Sequence, residues 1–402
     1  MAVDLWGEGP VEQNRSDGVL VDSFVCHRFR SPFAAIPPDI HQIVSSLPSR
    51  PLPSGESSIC ILRTSAIGDV THVVPLIRTL KEKAPRVSIT WIVGKLEQRL
   101  VGDLPGVEFV MFDKGKGREG MRAVRQALAG RRFDALLHMQ VALRSNLLSL
   151  GVSADRRIGY DRARSKDLHG LFVNERIPAR SGEHVLDAFG SFIEPLGMRQ
   201  TDVAWDIPVP DDAHAWAHEQ LPGDAPTLLV SPTSSHELRN WRPERYAAVI
   251  DHAMARGLRV ALVGGPSSGE RAMADAVLAA ATSTPMDLTG KDTLKRFMAL
   301  LGRTAMILTP DSGPMHMANA AGVKVLGLHA ASNPHRSGPY SDRRWCVNKY
   351  DEASRRFLGK PAADIAWGTK IEKPGVMDLI AVDEVIDRLE ACTDHLGLSL
   401  SG

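Results

Sequence analysis

The chain has only four cysteines in 402 residues, Cys26, Cys60, Cys346 and Cys392, and none are spaced as metal ligands are. Scattered thiols of this kind indicate free cysteines in a reducing compartment rather than a disulfide framework. No apolar run is long enough to span a bilayer, and the amino terminus lacks the basic and apolar parts of a signal peptide. We therefore expect a soluble protein, which leaves a place on a membrane surface open.

Neither sign of charge is in excess. Lys and Arg number 48 and Asp and Glu number 47, so the formal net charge is +1. A nucleic-acid binder that works through bulk charge needs a surplus of cations, so we expect no nucleic-acid partner. The P-loop pattern GxxxxGK[ST] and the metal-binding patterns HExxH and CxxC are also missing, which argues against nucleotide and metal sites of these kinds.

The most informative stretch that is present runs from Thr304 to Ala330. Met306–Leu308 is a short apolar run typical of a buried strand, and a Pro-Asp-Ser-Gly-Pro turn follows it. Asp311 or Ser312 can cap a helix that begins there. A capped helix start behind a parallel strand is a site for anions, and His316 lies one turn into this helix. An ordinary turn with a helix cap is an equally open interpretation.

The alternation of short apolar strands with helices predicts two α/β domains with parallel sheets. Residues 1–55 are rich in turn formers and are expected to form an extension that is partly ordered at best. The first domain spans 56–207, and Pro208-Val209-Pro210 marks the boundary to a second domain at 208–380. Residues 381–402 include an amphipathic helix, which we expect to pack back on the first domain.

Each predicted domain begins with a buried strand that runs into a turn of small and polar residues. The strand Ile59–Arg63 precedes the turn Thr64–His72, and the strand Thr227–Ser231 precedes the turn Pro232–Trp241. Two such domains that face each other form a cleft, which is where ligands usually bind. Both turns are therefore expected to line one site.

A basic segment from Tyr160 to Arg180 breaks the alternation of strands and helices. Either it is a solvated loop, or it is a surface on which an anionic substrate lands. His184, just after it, can face the cleft or be exposed. The cations of the segment are Arg162, Arg164, Lys166, Arg176 and Arg180.

Four motifs occur in an order that resembles one known family. They are ILRTSAIGDVTHVVPLIRTL at the start of the first domain, SPTSSHELRNWRPERY at the start of the second, VALVGGPSSGER, and TPDSGPMHMANAAG. From Ile59 to about Ala391 the chain resembles glycosyltransferase family 9, which holds the bacterial lipopolysaccharide heptosyltransferases, and within it the heptosyltransferase I branch. The segment GYDRARSKDLHGLFVNERIPA, followed by His184, also resembles the acceptor-side loop of that branch.

The resemblance implies a GT-B fold, in which two Rossmann-like domains with parallel sheets face each other across a cleft. It implies an inverting, metal-independent transfer of heptose from ADP-heptose to the Kdo-lipid A inner core, with no cofactor besides the nucleotide sugar. The acceptor would be an anionic, lipid-linked saccharide. The enzyme would then be cytoplasmic and would contact the inner membrane peripherally, at its cytoplasmic face.

The resemblance also assigns roles to residues. Asp69 would be the catalytic carboxylate, and Ser65 and Gly68 of the same turn would help to bind the donor. Arg239 stands where the family usually has a lysine, and arginine can still hold a pyrophosphate, although with a different geometry. The other donor-binding residues would be Thr233 and Ser234 for phosphate, Glu270 for the ribose, and Asp311, Ser312, Gly313 and His316 for the pyrophosphate and the sugar. The acceptor would be bound by Arg162, Arg164, Lys166 and His184.

Each of these residues also has a plainer explanation. Asp69 can simply cap the helix after Gly68, Glu270 can be a first-turn helix acid, and His316 can be a satisfied interior histidine. The function leaves alternatives open as well: a related transferase, a sugar-nucleotide epimerase on the same fold, or a non-catalytic sugar-nucleotide-binding regulator of surface or exopolysaccharide synthesis. Asp69 favours catalysis, and the basic segment favours a large anionic acceptor.

Overall fold

The computed structural model describes residues 50–52, 56–200 and 202–398. Most of the predicted extension at residues 1–55 therefore lies outside the described residues. Residues 50–52 lie against the first domain, where the Arg50 backbone N–H donates to the Pro195 carbonyl at 3.0 Å. Leu52 packs against the apolar core beside it.

The first domain is built on a six-stranded parallel sheet in the order β3-β2-β1-β4-β5-β6. On β1, Ile59 and Ile61 belong to one apolar core, whereas Cys60 and Leu62 belong to another on the opposite face. Both faces of the sheet are thus covered, as parallel sheets require. The strands are β1 (Ser58–Leu62), β2 (Ser88–Gly94), β3 (Val107–Phe112), β4 (Phe133–His138), β5 (Ala154–Gly159) and β6 (Glu175–Arg176), and the helices are α1 (Ile67–Lys83), α2 (Lys95–Val101), α3 (Gly117–Ala127), α4 (Leu143–Ser149) and α5 (Val185–Gly190).

The second domain repeats this plan with a parallel sheet in the order β12-β11-β10-β7-β8-β9. Ile307 of the central strand β10 pairs with Leu229 on one side and Val325 on the other. The strands are β7 (Thr227–Val230), β8 (Arg259–Leu262), β9 (Met286–Asp287), β10 (Met306–Pro310), β11 (Lys324–His329) and β12 (Val347–Asn348). The helices are α6 (Asp211–Gln220), α7 (Pro243–Ala255), α8 (Ser268–Ala280), α9 (Leu294–Leu301), α10 (Gly313–Ala320), α11 (Pro334–Ser337), α12 (Tyr350–Leu358) and α13 (Val382–His395).

In both sheets the strand order reverses beside the strand that begins the domain. β1 lies between β2 and β4, and β7 lies between β8 and β10. The carboxyl ends of the strands at such a reversal leave a crevice in which ligands of open α/β sheets bind. Because the turns after β1, β7 and β10 carry the predicted site residues, the topology gathers those residues at the two crevices.

The two domains contact each other through α1 and α10. A methyl group built on Gly68 would lie 2.3 Å from Cδ2 of His316, so this approach is possible only because residue 68 has no side chain. One built on Gly313 would lie 3.5 Å from Ile67, an ordinary contact distance. The first turns of these two helices therefore face each other between the domains.

The last helix, α13, corrects one expectation. It does not pack back on the first domain, because its apolar residues Val385, Leu389 and Cys392 lie in the core of the second domain. Glu390 pairs with Arg256 at 3.0 Å, just after α7, which fixes the helix there. Its apolar stripe is thus buried by the domain that immediately precedes it. Among the described residues, no helix is long and apolar enough to cross a membrane.

Candidate active site

A cleft of about 2000 Å³ lies between the two domains. The first domain forms one wall with the turn after β1 and with the basic segment, and the second forms the other wall with the turns after β7, β8 and β10. Two predicted site residues, Arg162 and His184, are not part of the lining. Those that line the cleft are Ser65, Gly68, Asp69, Arg164, Lys166, Thr233, Ser234, Arg239, Glu270, Asp311, Ser312, Gly313 and His316.

Asp69 lies in the first turn of α1 and faces the cleft with about 32% of its side chain exposed. Its carboxylate pairs with the guanidinium of Arg63 and accepts a weak hydrogen bond from the Ala66 backbone N–H at 3.4 Å. Arg63 also donates to the Met139 carbonyl after β4 at 2.6 Å. The carboxylate therefore caps its helix and is oriented toward the cleft at the same time. Ser65, in the same turn, is held by Gln140 at 3.2 Å.

The opposite wall is formed by the start of α10. Ser312 precedes the helix, and its hydroxyl lies 2.9 Å from that of Thr309. The first N–H groups of the helix, beginning with that of Gly313, have no partner within the helix and carry the positive end of its dipole. This end of α10 is therefore suited to an anion.

Asp311 is buried beside this helix start, next to Lys370 and to the rings of His316 and His329. Burial acts to raise its pKa, but His329, Lys370 and His316 outweigh that effect, so the pKa lies below the usual range. Lys370 Nζ lies 3.8 Å from the carboxylate, and Ser337 donates to it at 3.2 Å. Asp311 thus positions Lys370 and His316 at the cleft. Its own carboxylate would therefore contribute to anion binding only indirectly, through these two side chains.

Arg239 reaches the cleft from the turn after β7. Its guanidinium donates to the Asp311 carbonyl at 3.3 Å and to the Ser235 hydroxyl at 3.0 Å. Glu372 lies 3.3 Å from it and balances its charge. Sequence reasoning missed Glu372 and Lys370 because they lie in an irregular segment after α12 with no pattern of its own.

The turn between Arg239 and β7 presents two hydroxyls with different surroundings. The Ser234 hydroxyl donates to the His236 carbonyl at 2.9 Å, and the Ser234 backbone N–H donates to Asn240 Oδ1 at 2.7 Å. The Thr233 hydroxyl has no partner in the part of the chain that the structure describes. Ser234 therefore shapes the turn, whereas Thr233 is free to bind a ligand.

Glu270 and Asp292 form an acidic part of the same wall. Glu270 accepts hydrogen bonds from the Gly265 N–H and the Ser267 hydroxyl, both at 2.7 Å, so it ties the turn after β8 to the start of α8. Burial and the charge of Glu270 raise the pKa of Asp292 to about 7. Sequence reasoning missed Asp292, which follows the short strand β9 in the tripeptide Gly290-Lys291-Asp292.

Three buried histidines meet where the domains touch. The ring of His72 on α1 lies 4.7 Å from that of His316 and 5.6 Å from that of His184, centre to centre. Burial holds the pKa of all three below the usual range, and that of His184 falls to about 3. These rings are therefore neutral, and they pack rather than carry charge.

His184 corrects a second expectation. Its Nδ1 accepts from the Leu186 backbone N–H at 3.1 Å, and its Nε2 donates to the Gly338 carbonyl of the second domain at 3.0 Å. With both ring nitrogens used and the ring buried, it has no group left for an acceptor. It caps α5 and joins the two domains instead.

The basic segment divides into paired and free cations. Arg164 pairs with Asp161 and, at 2.6 Å, with Glu183. Lys166 is exposed at the cleft, and it has no ion pair with any described residue. Arg162 is exposed outside the cleft lining. The segment therefore presents Lys166 directly to the cleft, with Arg164 held in place behind it.

Two short glycine patterns also lie at strand ends, and the structure gives both an ordinary role. GxGxxG at Gly115–Gly120 follows the edge strand β3, where a methyl group on Gly120 would lie 2.5 Å from the Asp113 carbonyl. GxSxG at Gly265–Gly269 contains Ser267, which caps α8 through the Glu270 N–H. The Ser267 hydroxyl donates a hydrogen bond to Glu270 and has none to a histidine. It therefore lacks the histidine base that activates a serine nucleophile.

Comparison with known proteins identifies the family to which this site belongs. A profile of glycosyltransferase family 9 (heptosyltransferase) matches residues 121–361, more than half of the chain. The lipopolysaccharide core heptosyltransferase OpsX of Haemophilus influenzae is 35% identical over 333 residues, which cover 83% of this chain and 96% of OpsX. The chain belongs to glycosyltransferase family 9.

Solved structures of this family show the same fold. A family 9 glycosyltransferase from Veillonella parvula aligns with a TM-score of 0.69 at 22% identity, covering 84% of this chain and 97% of that one. The ADP-heptose lipopolysaccharide heptosyltransferase II of Escherichia coli aligns with a TM-score of 0.64 at 18% identity, covering 85% and 99%. The expected family, the GT-B fold and the assignment as a heptosyltransferase are therefore confirmed.

Proposed function

We propose that this family 9 enzyme transfers heptose from ADP-heptose to the Kdo-lipid A inner core of lipopolysaccharide, with inversion and without a metal ion. The observation that carries the proposal is the carboxylate of Asp69 on one wall and the cationic helix start of α10 with Arg239 on the other. An in-line displacement requires a base and a leaving-group site on opposite sides of the reacting carbon. The names of OpsX and of the Escherichia coli enzyme support the choice of donor and product.

The donor diphosphate would lie over the start of α10. There it would accept hydrogen bonds from the first N–H groups of the helix, from the Thr233 hydroxyl and from Arg239. Lys370, which Asp311 holds at the cleft, would add a second cation. These groups supply the positive charge that a leaving diphosphate needs, which is the basis for proposing transfer without a metal. The carboxylate of Glu270 would accept hydrogen bonds from the hydroxyl groups of the ribose.

Asp69 would act as the general base. The acceptor hydroxyl would attack the anomeric carbon of the heptose, its proton would pass to Asp69, and the bond to the diphosphate oxygen would break to release ADP. Attack from the side opposite ADP inverts the anomeric centre. Arg63 would hold the carboxylate in its orientation through their ion pair.

The acceptor would enter from the side of the basic segment. Kdo carries a carboxylate and lipid A carries phosphates, so Lys166 and Arg164 at the cleft, with Arg162 beside them, would provide matching charge. Since lipid A is anchored in a bilayer, the enzyme would work at the cytoplasmic face of the inner membrane.

Purified protein incubated with ADP-heptose and Kdo-lipid A tests the proposal through release of ADP. We expect release that depends on the acceptor, a product with inverted anomeric configuration by NMR, and the same rate in excess EDTA. Omission of the acceptor is the control for hydrolysis. No release with both substrates present would contradict the assigned substrates, retained configuration would contradict in-line attack, and activity that EDTA abolishes and Mg²⁺ restores would contradict the absence of a metal requirement.

A further inference from the structure

The first domain carries an apolar patch on its surface that the active site does not use. Seven large apolar side chains of the described residues are clearly exposed, and five of them lie in two short segments of this domain. Three of these five side chains lie on one face of α4 and just after its end, spaced three or four residues apart. The other two lie in the basic segment. These five leucines, between 45% and 79% exposed, form the leucine patch: Leu143, Leu147, Leu150, Leu168 and Leu171.

Hydrogen bonds join the two segments into one surface. The Leu143 backbone N–H donates to Asp167 Oδ2 at 3.1 Å, and Asn146 Nδ2 donates to the Asp167 carbonyl at 2.8 Å. Asp167 and Leu168 both have left-handed backbones, with φ of 51° and 59°, a conformation that is unfavourable for leucine. Leu168 is thus held in an unfavourable backbone conformation with its apolar side chain exposed to water. Contact of this side chain with a partner outside the chain would offset both costs.

Unpaired arginines border the patch. A shallow groove of about 230 Å³ runs between Leu147 and the exposed arginines of α3, Arg118, Arg122 and Arg125. The side chains of these three, and of Arg144 on α4, have no ion pair or hydrogen bond with any residue in the described part of the chain. Other exposed arginines of this domain are paired in some cases, as Arg132 and Arg180 are, and have no ion pair with a described residue in others, as Arg86 and Arg199 do. The patch differs in that its free cations cluster beside exposed leucines.

We propose that the leucine patch and its arginines dock the enzyme on an anionic phospholipid bilayer. Exposed leucines gain free energy by entering the acyl boundary of a bilayer, and arginines at the rim bind anionic head groups. A second copy of the chain is a poorer match, because a symmetric contact would gather two sets of the same unpaired arginines in one interface, with no acidic group of the patch to balance them.

The patch adjoins the cleft at two points of the chain. Val141 lines the cleft, and Leu143 lies on the patch; likewise Lys166 lines the cleft, and Leu168 lies on the patch. A lipid whose acyl chains stay in the bilayer can therefore present its saccharide to the cleft without leaving the membrane. This link to catalysis rests on the proposed lipid-linked acceptor, whereas the docking itself does not.

Co-sedimentation of the full chain with vesicles, with neither substrate present, tests the docking. We expect binding to vesicles of phosphatidylglycerol and phosphatidylethanolamine, and little binding to vesicles of phosphatidylcholine. The variant R118E/R122E/R125E should bind the anionic vesicles at least about a hundredfold more weakly, since each cation at an anionic surface is worth about fivefold in affinity and three are lost. The variant L168S/L171S should bind more weakly to the same vesicles while keeping the parental thermal melt.

A matched control reverses three exposed cations of the same domain outside the patch, in K83E/R86E/R199E, and should bind as the parent does. Equal loss in this control would overturn the assignment to the patch, as would unchanged binding in both patch variants. A parent that sediments as a dimer, and patch variants that sediment as monomers, would also overturn it in favour of self-association. Because no substrate is present, failure of the proposed transfer would leave this result unaffected.

Discussion

The two walls of the cleft differ in how tightly their polar side chains are held. On the second-domain wall, Arg239, Glu270 and Asp311 are each tied to partners of their own domain. On the first-domain wall, Asp69 is held by Arg63 and Arg164 by Asp161 and Glu183, but Lys166 is exposed without an ion pair among the described residues. On the proposed assignment of the walls, the donor side is organised before binding, whereas Lys166 on the acceptor side takes its final position with the ligand.

The change Asp69→Asn should abolish the proposed base on the first-domain wall and leave the second-domain wall unchanged. Asparagine keeps the size and capping ability of the side chain but cannot take the proton, so turnover should fall by about 10²- to 10⁴-fold. ADP affinity should not change. Turnover, ADP titration and a thermal melt on one preparation check this.

If Asp69→Asn turns over at close to the parental rate, another group is the base. A lost thermal transition in that variant would point to helix capping as the main role of Asp69.

Arg239→Ala should weaken donor binding on the second wall, because it removes one cation and leaves Glu372, at the proposed diphosphate site, with His236 as its ion-pair partner among the described residues. We expect ADP affinity to fall by about ten- to a hundredfold, and by less at high salt because screening weakens the lost attraction. Calorimetric titration of ADP at low and high salt measures both effects.

The double variant Arg239→Ala, Glu372→Gln is the matched control, since it also removes the negative charge that Arg239 balanced. It should recover part of the lost affinity. Unchanged ADP affinity in the single variant would place the diphosphate elsewhere in the cleft.

Gly68→Ala should separate the two walls mechanically. Its methyl group would lie 2.3 Å from the His316 ring, so the domains must shift apart or the ring must move. We expect a loss of about 1–3 kcal/mol in the free energy of unfolding, as for overpacking in a core. Chemical denaturation of the two glycine variants and the parent measures this.

Gly313→Ala is the matched control, because its methyl group would meet Ile67 at an ordinary 3.5 Å. Equal destabilisation of both variants would show that the contact at Gly68 is not limiting.

Asp292 should make the affinity of the second wall for ADP depend on pH. The pKa of about 7 means that its carboxyl group is mostly neutral below pH 7 and charged above it. A new charge beside Glu270 should repel the anionic ADP, so ADP affinity should decrease several-fold as the pH rises through about 7. Titration of ADP across this range in the parent and in Asp292→Asn tests this, and a variant with the same pH profile as the parent would contradict it.

The smallest effect is expected on the acceptor side. Neutralising Arg162, Arg164 and Lys166 together should raise the acceptor KM a few-fold and leave ADP binding unchanged, since exposed charges interact weakly in water. Most of that effect should come from Lys166, which lines the cleft without an ion pair. Steady-state kinetics with each substrate varied in turn will separate the effect on the acceptor KM from any effect on the donor KM. No change in either KM would mean that the segment is a solvated loop.

Much of the site follows from local patterns in the sequence. The turns that hold Asp69, Thr233 and Ser312 were predicted because a buried strand, small polar residues and a helix follow one another directly along the chain. The acceptor role expected for His184 was wrong because its partner, Gly338, lies 154 positions away. Lys370, Glu372 and Asp292 were missed because no local pattern marks them.

The two parallel α/β units, the positions of their strand-end turns and the family could all be inferred from the sequence, since periodicity and short motifs depend on neighbouring residues. Which side chains meet became apparent only in the folded structure. It paired Arg63 with Asp69, placed Lys370 beside Asp311, brought three histidines together between the domains, and buried α13 in the second domain. The physical reason is that apolar patterning specifies which face of an element is buried, whereas the partner of a polar group depends on how distant elements pack.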